Sequence, residues 1–154
     1  MQEEFLNSLD GILHDIKRRN PSFDEIDGLK KLILEILRKY KPKAIIIAGS
    51  LAEGKWIRGM SDIDILVITD AVRGEKLTMR SFITSINEVD AQVSMFTEEE
   101  VLMGMDNLNF FFISAIYYGI PVYGSECYQR LKMHLEKMIS ERKIKRTEYG
   151  WVFE

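Results

Sequence analysis

Two aspartates, Asp62 and Asp64, open one apolar run, and a glycine–serine pair, Gly49–Ser50, closes an earlier one. In an extended chain alternate side chains share a face, so Asp62 and Asp64 should emerge together about 7 Å apart while Ile63 points the other way, into a core. Two carboxylates on one rigid element make a seat for a hard divalent cation. Mg²⁺ is commonly held by one or two carboxylates together with substrate phosphates, and a Gly-Ser turn close by can offer those phosphates backbone N–H donors. Asp-x-Asp alone is a weak signal, because paired aspartates at a strand edge are often solvated turn residues. Here Ile65–Ile68 follow, apolar on both strand faces, which marks a buried central strand. A charged pair at its mouth then needs cations or donors as partners, since an uncompensated buried carboxylate is costly or loses its charge.

The elements that must position these residues can be read from periodicity. Leu6, Leu9, Ile12, Leu13 and Ile16 recur at helical spacing, predicting an amphipathic helix over 2–19 that ends near Asn20-Pro21. Ser22 with Glu25 reads as a capping box for a second helix, buried through Leu29, Leu32, Ile33, Ile36 and Leu37 and stopped at Lys41-Pro42. The β-branched run AIIIAG at 44–49 predicts a buried strand leading to Gly49–Ser50. Residues 51–61 read as a linker, with Lys55, Trp56 and Arg58 as its basic and indole groups. The Asp-bearing strand runs from Ile63 to Thr69. Residues 74–88 are expected to form a crossover helix with Leu77, Phe82, Ile83 and Ile86 apolar. A third strand over 89–96 puts Asp90, Gln92, Ser94 and Phe96 on one face and Val89, Ala91, Val93 and Met95 on the other. Thr97 and Glu100 should cap a further helix, and 108–124 reads as a helix, a glycine stop and a short extended piece. The last residues, RTEYGWVFE, are too few to assign.

At 154 residues and 46% hydrophobic content, the chain is expected to fill one core. The expectation is a single domain over 1–154: an N-terminal helix 2–19, a core about 24–124, and a C-terminal basic helix and tail 126–154. No run of eighteen or more apolar residues is present, and the N-terminus has neither a basic start nor an apolar signal core, so a soluble, cytoplasmic protein with no membrane association is expected. The single Cys127 excludes an internal disulfide framework and a cysteine-rich zinc site; His14 and His134 lie far apart and read as surface or packing residues. A net charge of −3 argues against non-specific nucleic-acid binding as the main task. Charge is uneven, however: residues 129–146 carry seven Lys or Arg against two Glu, either the solvated face of a helix or a docking surface for RNA or an acidic partner.

An apolar strand, Gly49–Ser50, eleven intervening residues, Asp62 and Asp64 within an apolar strand, and a later Asp90 together resemble the nucleotidyltransferase superfamily that includes DNA polymerase beta. More narrowly, the chain is similar to its minimal nucleotidyltransferases, which often occur beside a helical HEPN-family partner in toxin–antitoxin pairs. The signature covers 44–69, and the Asp90 strand and GIPVYG segment extend it to about 124. The resemblance implies an α/β (α+β) fold, a small mixed β-sheet with helices packed on it, as in the polymerase beta palm. It implies a transferase that moves a nucleoside monophosphate, AMP from ATP, onto a hydroxyl with release of pyrophosphate, with Mg²⁺ or Mn²⁺ as cofactor in two-metal phosphoryl transfer. Asp62, Asp64 and Asp90 would be the catalytic and metal-binding residues, and Gly49, Ser50, Lys55, Arg58 and Ser61 the nucleotide-binding ones. The acceptor is left open among protein hydroxyls, RNA ends and small molecules. The alternative is an antitoxin-like protein that binds a HEPN-type toxin, with or without catalysis, through Phe110–Phe112, Tyr117–Tyr118 or the basic C-terminal helix. The chain departs from the family at Leu51 and Glu53, where members commonly carry arginines in Gly-Ser-Arg-Ala-Arg-Gly. The phosphate clamp would then rely on Lys55 or Arg58.

Overall fold

Every side chain of Ala44–Ala48 (β1) is buried, as a β-branched run flanked by a proline and a glycine would have it. The reason lies in the layers on either side. The computed structural model describes residues 2–76, 80–141 and 143–153. Ile45 and Ile47 face helices α1 (Gln2–Arg19) and α2 (Ile26–Tyr40), joining Leu9, Leu13, Ile16, Leu29, Ile33 and Ile36 in one core cluster. Ala44, Ile46 and Ala48 face the opposite cluster, built from α4 (Glu98–Asp106), α5 (Phe110–Tyr118) and α6 (Ser125–Ser140). A sheet covered on both faces needs central strands apolar at consecutive positions, and β2 (Ile63–Ile68) obeys the same rule from Ile65 onward.

With β3 (Ser81–Ile86), β4 (Val89–Phe96) and β5 (Ile120–Tyr123), the strands form a five-stranded sheet in the order β3-β4-β2-β1-β5. β2 is central, antiparallel to β1 and parallel to β4. The architecture is the expected mixed α+β one. Helix α4 begins at the expected capping box, in which the Thr97 hydroxyl accepts from the Glu100 N–H and the Glu100 carboxylate accepts from the Thr97 N–H. The segment 108–124 is helix, glycine and strand as read.

Four expectations are corrected. Residues 81–86 are strand, not part of a crossover helix; Leu77 lies outside the described residues. For β4 to run parallel to β2 the chain must first travel back, and β3 makes that return as an antiparallel neighbour of β4. Ile86 pairs with Val89, so Asn87 and Glu88 form a two-residue turn, both at positive φ (49° and 71°), the geometry whose twist matches a hairpin. Grouping Ile83 with Phe82 and Ile86 as one helical face was the error: period two leaves Ile83 in solvent, 67% exposed. Secondly, Ser22 and Glu25 form no capping box; α2 starts after Glu25, whose side chain makes no cap bond and binds Arg58 instead. Thirdly, the 51–61 linker starts as helix, since Gly49–Glu53 forms a short α3. Finally, the basic C-terminal stretch is not all helix: α6 stops at Ser140, and Ile144–Thr147 (β6) pairs antiparallel with Gly150–Phe153 (β7) in a separate hairpin. Among the described residues no helix is long and apolar enough to cross a membrane.

Candidate active site

The end of β1 and the start of β2 lie side by side, with Ala48 paired to Asp64. Because Ala48 belongs to the α4–α5–α6 face, so does Asp64, and Asp62 two residues earlier points the same way, while Ile63 is fully buried among the residues facing α1 and α2. β4 continues the arrangement. Ile63 pairs with Ala91 and Asp64 with Gln92 in a parallel ladder, so Asp90, one residue before that ladder, stands at the same end and on the same face as Asp62 and Asp64. Asp62 and Asp90 are exposed and Asp64 is half-buried. The three side chains are not gathered: among the described residues no group of three His, Cys, Asp or Glu converges into an all-protein metal site.

Burial, and then the charge of Asp62, raise the Asp64 carboxyl above its ordinary value of 3.8. Among the described residues no cation offsets this, since none of Asp62, Asp64 and Asp90 enters an ion pair. Gly49 lets the Asp64 carboxylate pack close against the backbone of the turn. It sits at φ 65°, and a Cβ there would come within 2.5 Å of Asp64 Oδ2. Only glycine combines that backbone with so close an approach. Ser50 follows in the first turn of α3, half-buried at the same end of the sheet. One or two carboxylates are the donor set that suits Mg²⁺ when phosphate oxygens complete its shell, so Asp62 and Asp64 fit a hard divalent cation by their donor chemistry.

The remaining expected residues are placed less simply. Ser61 closes a turn, its hydroxyl accepting from the Ile57 N–H at 3.0 Å. Lys55 is exposed and lies 3.8 Å from Glu53, leaving its ammonium at the surface after α3. The Arg58 guanidinium donates to Glu25 at 2.7 Å and to the Ser22 carbonyl at 2.9 Å, approaches Asp24 at 3.6 Å, and lies over the Trp56 ring. Its charge is thus committed to the α1–α2 connection. Leu51, at the first departure from the family pattern, is fully buried in the core against α1 and α2, so its side chain is a packing element.

Sequence reasoning missed two residues that hold this corner in place. Asn20, 2% exposed, donates to the Ile16 and Leu51 carbonyls and accepts from the Trp56 N–H. It therefore ties the end of α1 to α3 and to the segment leading into β2. Glu25, also buried, anchors the same segment through Arg58. An asparagine after a helix ordinarily reads as a stop signal; only its burial reveals the further bonds. The Trp56 indole packs edge-on to Phe23 at 5.1 Å, and its Nε1 is the one buried side-chain polar atom without a partner among the described residues.

The β1–Gly49–Ser50 turn, the Asp pair at the next strand and a parallel strand with a third aspartate, Asp90, at its second position make up the candidate site, on a mixed α+β fold of the nucleotidyltransferase kind. The family model of the nucleotidyltransferase domain matches residues 29–118, more than half of the chain, and the chain belongs to that family. No curated protein matches it.

Proposed function

We propose that the protein transfers a nucleoside monophosphate, AMP from ATP, to a hydroxyl acceptor. The observation that carries this reading is the Asp62–Asp64 pair, unneutralised by any described residue and packed beside the Gly49–Ser50 turn. An acidic pair held against its own repulsion has a physical reason to persist where a cation and a polyphosphate complete it. Bound Mg²⁺ or Mn²⁺ would supply charge neutralisation for the triphosphate and a lower pKa for the acceptor hydroxyl. Asp62 and Asp64 would hold the metal, with Asp90 turning in from the neighbouring strand as a further ligand and as proton acceptor. Gly49 and Ser50 would bind the β- and γ-phosphates through backbone N–H groups and the Ser50 hydroxyl, with Lys55 and Ser61 at the edge and Arg58 positioning the segment through Glu25. In the transfer the acceptor oxygen forms a bond to the α-phosphorus. The bond from that phosphorus to the bridging oxygen breaks, pyrophosphate leaves with the electron pair, and the hydroxyl proton passes to a carboxylate or water.

Calorimetric titration of ATP with Mg²⁺ into the wild-type protein and into Asp62→Asn/Asp64→Asn tests this. Metal-dependent binding present in the first and absent from the second supports the reading; no binding by folded wild-type protein overturns it. A second reading, contact with a helical HEPN-type partner in a toxin–antitoxin pair, is favoured by exposed apolar groups at the α4–α5 junction, Met103 at 64%, Phe110 at 41% and Phe111 at 44%. Retention of partner neutralisation by Asp62→Asn would favour contact over catalysis.

A further inference from the structure

The last turn of α5 and the β6–β7 hairpin build a surface for which the donor half of the transfer has no use. Tyr117 and Tyr118 meet edge to face with centroids 4.7 Å apart, and Trp151 stands edge-on to Tyr117 at 4.9 Å. Cations interleave with these rings. The Arg146 guanidinium lies 5.5 Å from the Tyr118 centroid and 5.9 Å from that of Trp151, and the Lys132 ammonium lies 4.9 Å from Tyr117. Trp151 Nε1 donates to Ser114 at 3.3 Å and Arg146 donates to the Tyr118 hydroxyl, which orients the hairpin on α5. Tyr149, at the hairpin turn, is 93% exposed; Lys145, paired with Val152, points to the other face of the hairpin from Arg146 and Trp151. Within the described residues, Lys132 and Arg146 have no carboxylate partner, whereas Lys137 and Lys143 reach Glu141 at 3.9 and 3.3 Å.

The topology puts this surface at the same end of the sheet as the carboxylates. Ile120, two residues after Tyr118, pairs with Ile47, two residues before Gly49, so the end of α5 and the Gly49–Ser50 turn share one end of the sheet. α5 also packs on the sheet face that carries Asp62 and Asp64. The family match stops at Tyr118, so the basic part of the surface is a feature of this chain outside the matched region. In a protein of net charge −3, unpaired cations gathered here run against the general trend. Cations alone would suit any polyanion. Rings between them add faces on which bases can stack, which an acidic peptide lacks and a single-stranded nucleic acid has at every residue.

Resting on the nucleotidyl-transfer reading, we propose that this surface docks a single-stranded nucleic acid whose terminal hydroxyl is the acceptor. That oxygen bonds to the α-phosphorus of the donor, the α–β phosphoanhydride bond breaks, pyrophosphate departs and the hydroxyl loses its proton, leaving the strand one nucleotide longer.

Fluorescence anisotropy without nucleoside triphosphate, using labelled RNA and DNA single strands of about twelve nucleotides, tests the docking separately from the transfer. The expected result is saturable binding that weakens steeply between about 50 and 200 mM salt, falls about tenfold in Lys132→Glu/Tyr149→Ala, and is unchanged in Lys39→Glu on the opposite layer. The RNA and DNA arms decide which sugar is preferred. Absence of binding to either strand overturns the proposal, as does binding indifferent to Lys132→Glu/Tyr149→Ala or displaced equally well by polyglutamate of matched charge. Strand binding without any metal-dependent ATP binding would sink the transfer reading alone, and ATP use without strand binding would sink the docking alone.

Discussion

Replacing Asp64 by asparagine should stabilise the metal-free protein, the reverse of what loss of a native side chain ordinarily does. Two like charges about 7 Å apart, at an effective dielectric between about 20 and 80, repel by about 0.6 to 2.4 kcal/mol, and Asp64 has no described cation to set against that. In a domain of this size each kcal/mol moves the midpoint by about 2–4 °C, so Asp64→Asn should melt a few degrees higher in chelator at neutral pH. The pH dependence follows from the direction of the shift. The folded form takes up the Asp64 proton at higher pH than the unfolded chain, whose value is near the ordinary 3.8. Between those two values the native state binds more protons, so wild-type stability falls as pH rises through the window and is level above it. The advantage of Asp64→Asn should therefore be full at neutral pH and vanish below about pH 4. Millimolar Mg²⁺ should raise the wild-type midpoint and leave that of Asp64→Asn in place. Thermal unfolding followed by circular dichroism, in chelator and in Mg²⁺ across pH, reads all three. A lower midpoint for Asp64→Asn in chelator at neutral pH would refute the reasoning, because it would mean the carboxylate is stabilised where it stands.

Gly49→Ala must accept a positive φ and a Cβ against Asp64 Oδ2; a loss of about 1–3 kcal/mol in denaturant unfolding is expected, with weaker ATP binding by calorimetry. Arg58→Ala strips the buried Glu25 carboxylate of its partner and should cost about 2–3 kcal/mol by urea titration, while Glu25→Gln/Arg58→Ala recovers part of the loss. Glu88→Gly relieves a left-handed residue in the β3–β4 turn and should add about 1 kcal/mol to stability, a gain that a helix at 81–86 would turn into a loss. Burial, followed by the charge of Glu98, pushes the Cys127 thiol up to about 11, so alkylation at neutral pH should be slow in the native protein and rapid in denaturant, as intact mass measures it.

The hydrophobic periods of α1, α2, β1, β2, β4 and α5 are local, and each was legible because it reports which faces of one element are covered. So was the Asp62–Ile63–Asp64 alternation, since a period of two leaves one answer for which side chain enters the core. β3 was not legible: Phe82, Ile83 and Ile86 satisfy a helical spacing as well as a strand, and only the need to bring β4 parallel to β2 selects the strand. The same limit hid the C-terminal hairpin, whose Trp151 acquires meaning through Ser114 and Tyr117 on a distant helix.

By itself the sequence determined the order of the main elements, the chemistry available at Gly49, Ser50, Asp62, Asp64 and Asp90, and the family they belong to, because side-chain type and spacing are properties of short segments. Tertiary structure alone decided that Arg58 serves Glu25, that Leu51 is core, that Asn20 joins α1 to α3, and that Tyr118 and Arg146 stand at the same end of the sheet as the aspartates. Those facts depend on which segments meet. Burial of apolar area across the whole chain sets that, and no single segment encodes it.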